Sequence, residues 1–307
     1  MNYKALNNLA TMFFDSAEHF PQKPFLWAKR NGKYISGSYS ETKNKVQLLA
    51  DSLHQLGVEK GDRVVVVSEN RPEWVIADLA IISLGGITVP AYTTNTIDDH
   101  LYILDHSEAK IAIVSGDKLA MRLMNAMSKS ASCKTIISIE ALSSDVDPSL
   151  KHLDWASLLA PRDKLSTDVL KEAVNLKRND IACFIYTSGT GGNPKGVMLT
   201  HGSILANCSS AYDLLTEFGL GDEIFLSLLP LSHSYEHTCG LYFPISIGAQ
   251  IYYAEGPDKV AQNLQEAKPT IMTAVPRLYE ALHDRIQRGV QQSGGLKKYL
   301  FDLTLEP

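Results

Sequence analysis

Five short runs of unbroken apolar residues constrain this fold more than any other feature of the chain. They are VVVVS at 64–68, IAIVS at 111–115, TIISI at 135–139, IACFIYT at 181–187 and TIMTAV at 270–275. A strand with one face in water alternates apolar and polar residues. These runs do not alternate, so each reads as a strand buried on both faces of a parallel sheet. Between them the pattern becomes helical, as over Pro72–Leu84, Thr200–Leu215 and Pro276–Gln291. The prolines at 72 and 276 suit a first helical turn, where the missing N–H costs nothing. The alternation predicts an α/β fold layered around parallel sheet.

The start of the chain departs from this pattern. Leu6, Leu9, Met12 and Phe13 fall at helical spacing and predict an amphipathic helix rather than a signal peptide. Residues 25–39 read as a hairpin turning at Asn31-Gly32. Ser40 is then placed as the cap of a helix with Val46, Leu49, Leu53 and Leu56 on its apolar face and Gly57 as its stop. Residues 143–179, rich in charge and turn formers, read as a surface excursion.

Composition removes several function classes. Lys and Arg number 29 and Asp and Glu 34, giving a net charge of −5 and no basic footprint for nucleic acid. Cys133, Cys183, Cys208 and Cys239 form no C-x-x-C pair, which argues against a zinc or redox site and fits buried thiols in a reducing compartment. The longest apolar stretch, Val75 to Tyr92, is broken by Asp78, Gly85, Gly86 and Pro90, whereas a membrane span needs about 20 mostly apolar residues.

The densest chemical signal is Tyr186-Thr187-Ser188-Gly189-Thr190-Gly191-Gly192-Asn193-Pro194-Lys195-Gly196, directly after a buried-strand pattern. Glycines let backbone N–H groups converge on an anion, hydroxyls add donors, and lysine adds charge, which together suit phosphate. A flexible turn is the alternative on residue types alone. A Walker loop is excluded because Pro194 precedes Lys195 and Gly196 follows it. A dinucleotide fingerprint starting at Gly189 meets Pro194 where its last glycine belongs.

This loop resembles the signature Y-T-S-G-T-T-G-x-P-K-G of the adenylate-forming superfamily, with Gly191 in place of the usual threonine. Arg71-Pro72-Glu73-Trp74 and Gly85 to Pro90 are similar to that family's early helix and following strand. Leu229 to His237 resembles its L-P-x-x-H-x-x-E segment. Val275-Pro276-Arg277-Leu278-Tyr279-Glu280 resembles V-P-R-x-Y-E, which points to long-chain fatty acyl-CoA synthetases.

The resemblance implies ATP-dependent joining of a fatty acid to AMP, then transfer to CoA, with Mg2+ as cofactor. It implies that Thr187, Ser188, Gly189, Thr190, Gly191, Gly192 and Lys195 hold phosphate, that Thr187 helps ligate the magnesium, and that His233 and Glu236 serve the acyl pocket. On residue type alone His233 could equally be a core or capping histidine, and Glu236 and His237 ordinary polar residues starting a helix. The implied architecture is a partial N-terminal AMP-binding domain over 1–307. A first α/β subdomain lies near 55–184, and an incomplete second combines 1–54 with 185–307.

The family's Y-G-x-T-E and Y-x-T-G-D segments are not found, and its C-terminal domain, with the catalytic lysine, is expected to be absent. The expectation is a fragment inactive alone, cytoplasmic, with peripheral contact at the inner face of a membrane and self-association through a truncated sheet edge. An aryl- or aminoacyl-adenylating relative, or a non-catalytic nucleotide- or acyl-binding module, stays open as an alternative.

Overall fold

The computed structural model describes residues 2–143, 146–187, 193–293, 295 and 301. Met1–Met272 form one compact unit and Thr273–Pro307 a second.

In the first unit, helix α1 (Leu9–His19) precedes a hairpin of β1 (Pro24–Arg30) and β2 (Lys33–Ser38). Asn31 and Gly32 both have positive φ, 50° and 77°, the backbone that a tight two-residue turn requires. Helix α2 (Tyr39–Gln55) opens with a capping box, in which the Ser38 side chain accepts from the Glu41 N–H and the Glu41 carboxylate accepts from the Ser38 N–H. The cap is therefore Ser38, not Ser40, which lies inside the first turn. The glutamate three residues after Ser38 makes that the satisfied arrangement.

The alternation follows as β3 (Arg63–Val67), α3 (Pro72–Ser83), β4 (Ile87–Ala91), α4 (Ile97–Ser107), β5 (Ile111–Val114), α5 (Asp117–Met127) and β6 (Thr135–Ser138). Residues 143–179 are more than a surface excursion. They hold β7 (Lys151–Asp154), α6 (Trp155–Leu158) and α7 (Val169–Val174). As an edge strand with half-buried His152 and Leu153 between exposed ends, β7 lacks the apolar run that marks its neighbours. The excursion is tied down by Asp51 of α2. This buried carboxylate accepts from Arg162, from the Ser166 N–H and hydroxyl, and from the Thr167 N–H, at 2.5–2.9 Å.

Next come β8 (Ile181–Thr187), β9 (Lys195–Thr200), α8 (His201–Thr216) and β10 (Ile224–Ser227). A π-helix (Glu236–Tyr242) runs into α9 (Phe243–Ser246), followed by β11 (Gln250–Tyr253), α10 (Val260–Ala267) and β12 (Ile271–Met272). The 270–275 run thus yields only two paired residues. The second unit contains α11 (Pro276–Ser293).

Two sheets result. One has the order β7-β6-β5-β3-β4-β8-β9, with all neighbours parallel except the antiparallel pair β8–β9. The other has the order β12-β10-β11-β1-β2, so the N-terminal hairpin pairs with a strand more than 200 residues later, Leu26 opposite Ile251. Val64, Val65, Val66 and Val67 are fully buried, as a strand covered by helices on both faces should be. Every residue of α3 from Trp74 to Ser83 is buried, which explains why that helix is apolar all round. Its buried acid, Asp78, accepts from the Tyr242 hydroxyl. Among the described residues no helix is long and apolar enough to cross a membrane.

Candidate functional site

The glycine-rich motif connects two facing strands. Thr187 ends β8, Lys195 starts β9, and the two stand opposite each other in register. Ser188, Gly189, Thr190, Gly191 and Gly192 lie outside the described residues. The flanking residues explain two motif positions. Tyr186 is buried, and a Cβ added at Gly196 would sit 3.1 Å from its ring, so the closing glycine makes room for the opening tyrosine. The Tyr186 hydroxyl meets His106 Nδ1 at 2.8 Å, and burial pushes its pKa up to about 12, so it stays protonated near neutrality.

Thr187 and Pro194 line a cavity of about 460 Å³ at the C-terminal ends of β4 and β8. Tyr92 and Asn95, after β4, and Asp99 and Ile103, on the first turns of α4, supply one wall. The opposite wall is His233 and Ser234, from the turn after β10. Two motifs separated in sequence, each carried by a different sheet, thereby meet across one opening. The His233 N–H bonds to the Pro230 carbonyl at 2.9 Å, and its Nδ1 accepts from the Tyr235 N–H at 3.2 Å. A neutral ring then carries its proton on Nε2.

Ser234 also lines a second cavity, of about 490 Å³, between β9, α8 and the π-helix. Leu199, Ile204, Tyr235, Thr238 and Cys239 wall it, with Ser203 and Asn207 on the α8 side. Burial raises the Cys239 thiol above its ordinary value, so it is a small lining group rather than a thiolate. The two cavities share Ser234 on their walls.

Glu236 lines neither cavity. It is fully buried, and Ser227 donates its hydroxyl to the Glu236 carboxylate at 2.6 Å. Gly240, one turn on, leaves space for that carboxylate, since an added Cβ would fall on its carboxyl carbon. His237 also points inward, edge-on to Trp74 and Tyr242. Lys195 is exposed at the start of β9 and is not among the residues lining the first cavity.

The sequence reading missed most of the walls. Ser203, Ile204 and Asn207 recur at helical spacing just after the motif, and that spacing was the available signal. Tyr92, Asn95 and Asp99 had none, because they reach the site only through sheet order. Among the described residues no three His, Cys, Asp or Glu side chains converge as a metal cage.

A larger cavity of about 570 Å³ lies where the chain reverses direction between β3 and β5. Ligands in open α/β sheets often bind at such a crevice. Here several of the lining charges pair with one another: Arg71 with Glu73 and Glu140, Arg30 with Glu73, and Lys29 with Glu255.

Residues 13–302 match the family model described as AMP-binding enzyme. Long chain acyl-CoA synthetase 4 of Arabidopsis thaliana is 30% identical over 305 residues, covering 95% of this chain and 45% of that protein. Long-chain-fatty-acid–CoA ligase ACSBG2 of Rattus norvegicus is 30% identical over 299 residues, covering 94% and 44%. The chain therefore spans less than half the length of these relatives. A benzoate CoA ligase from Burkholderia xenovorans LB400 superposes with a TM-score of 0.70 at 26% identity, over 89% of this chain and 51% of that one. The N-terminal domain of FACL13 from Mycobacterium tuberculosis has a TM-score of 0.70 at 24% identity, over 89% and 64%, and shows the shared fold.

Proposed function

The chain belongs to the AMP-binding enzyme family, and from that premise we propose that it activates a long-chain fatty acid with ATP, as part of an acyl-CoA synthetase. The observation that carries this reading is the shared wall. Thr187 and Pro194, at the ends of the phosphate motif, face His233 across one cavity, and Ser234 lines both that cavity and a second one walled in part by Leu199, Ile204 and Cys239.

In the proposed reaction a carboxylate oxygen attacks the α-phosphorus of ATP and pyrophosphate leaves, giving acyl-adenylate. Two anions must be brought together, so neutralisation and alignment matter more than acid–base help. Lys195 supplies positive charge beside the motif, while Thr187 and the motif's hydroxyls supply donors. His233, on the wall of the first cavity, orients the carboxylate through its Nε2–H. Leu199, Ile204 and Cys239 take up the hydrocarbon tail, whose burial gives roughly 0.8 kcal/mol per CH2. A magnesium ion would rest on phosphate oxygens with the Thr187 hydroxyl, consistent with its habit of binding through substrate phosphates rather than an all-protein cage. It would offset the charge of the leaving pyrophosphate. Transfer to CoA belongs to the complete enzyme.

Titration of the chain with palmitate, benzoate and ATP tests the reading. Palmitate should bind more tightly than benzoate. Equal affinity for benzoate would favour an aryl-activating relative, and no binding of either acid or ATP would leave only a scaffold.

A further inference from the structure

Asn70 lies outside both the phosphate motif and the His233 turn, yet it bonds to the segment that leads to His233. Asn70 sits half-buried in the loop after β3, in the seven-stranded sheet. Its polar contacts all fall on residues 227–231, the end of β10 and the turn leading to His233. Nδ2 donates to the Leu229 carbonyl at 2.7 Å and to the Ser227 hydroxyl at 3.0 Å. Oδ1 accepts from the Leu231 N–H at 2.9 Å. A carbonyl can only accept and an N–H can only donate, so these two partners fix which way the amide points.

The hold extends to both sides of His233. Ser227, which accepts from Asn70, donates its hydroxyl to the Glu236 carboxylate, and Glu236 starts the π-helix. His237 closes the far side, its backbone N–H bonding to the His233 carbonyl at 2.9 Å and its Nδ1 donating to the Leu231 carbonyl at 3.2 Å. The His233 ring itself accepts from the Tyr235 N–H, and its backbone bonds to Pro230 and His237. Because Thr187 belongs to one sheet and the His233 turn to the other, something must fix the distance between them, and the Asn70 amide spans the two.

We propose that Asn70 is a positioning residue that sets His233 against the phosphate-motif strand ends, and thereby sets acyl-carboxylate placement. The second clause rests on the proposed acyl role of His233; the first does not. Asn70→Asp keeps the shape and the Leu231 contact but removes both donors and faces a carboxylate oxygen toward the Leu229 carbonyl. Two lost hydrogen bonds should weaken palmitate binding about tenfold.

The test uses the whole chain, labelled with 15N-histidine. In the parent chain the His233 ring should show the neutral Nε2–H tautomer with Nδ1 accepting a hydrogen bond. In Asn70→Asp that signature should be lost while the folded spectrum persists, and palmitate affinity should fall. Ser227→Ala, which removes the Asn70 and Glu236 contacts of that hydroxyl but leaves Asn70 bonded to Leu229 and Leu231, should shift the same signals less and serves if Asn70→Asp does not fold. An unchanged His233 signature in the folded variants overturns the positioning role. If the signature changes in Asn70→Asp but palmitate affinity does not, placement of the acyl group fails and the pin stands. If the parent chain binds no palmitate, the functional reading fails, while the spectra still decide the pin.

Discussion

The two walls of the site are built in opposite ways. On the β8–β9 side, Thr187 and Lys195 are exposed strand ends of an edge pair, and their chemistry is carried by a local run of eleven residues. On the β10 side, Glu236 and His237 are buried, Ser227 and Asn70 hold the turn, and Asp78 of α3 takes the Tyr242 hydroxyl at the end of the π-helix. The first wall can lose a side chain without disturbing the core. The second cannot, because each buried polar group there has partners that would be stranded. A binding defect without a stability defect should therefore mark the phosphate wall, and a coupled defect the acyl wall.

The largest effect is expected at Gly240→Ala. Its Cβ would enter the space of the buried Glu236 carboxylate, which is already committed to Ser227. Overpacking of this kind costs about 3 kcal/mol. Urea unfolding should show a lower midpoint with an unchanged slope. Parent-like stability would mean the acyl wall yields more easily than its network implies.

Acid should act next, through a group that anchors the phosphate wall from beneath. His201 follows β9 at the first turn of α8, and burial pushes its pKa down to about 4 from 6.5, while its Nδ1 accepts from the Leu9 N–H. The unfolded chain thus takes up a proton before the folded one does. The stability contribution is whole above pH 6.5 and is lost as pH falls toward 4. At pH 5 the loss from this residue should be about 2 kcal/mol. His100, also pushed down to about 4 by burial, adds a similar share. Thermal unfolding across pH should show the decline, and His201→Asn should flatten part of it. An identical acid slope in the variant would remove His201 from the account.

Lys195→Ala should have the smallest effect, and only on binding. Loss of one exposed charge beside phosphate should weaken ATP about tenfold, or about 1.4 kcal/mol. Stability should stay within about 0.5 kcal/mol of the parent, as for other surface changes. A melting temperature that fell together with affinity would erase the contrast between the two walls.

Much of this molecule was legible without coordinates because the relevant signals are local. The apolar runs at 64–68, 111–115 and 181–187 became β3, β5 and β8, because a strand covered on both faces has no polar side to show. Asn31-Gly32 made a hairpin because few other pairs accept positive φ twice. The phosphate motif announced its chemistry because glycines, hydroxyls and a lysine must be contiguous to surround one anion. Tertiary structure decided the rest. The strands β7, β10 and β11 are short, and their sheet positions depend on partners far away in the chain. Pairing of β1 with β11, the meeting of Thr187 with His233, and the reach of Asn70 to Leu229 and Leu231 span 46 to more than 200 residues. No local propensity encodes such a contact; it exists only because burial of two apolar sheets brings their loop ends together.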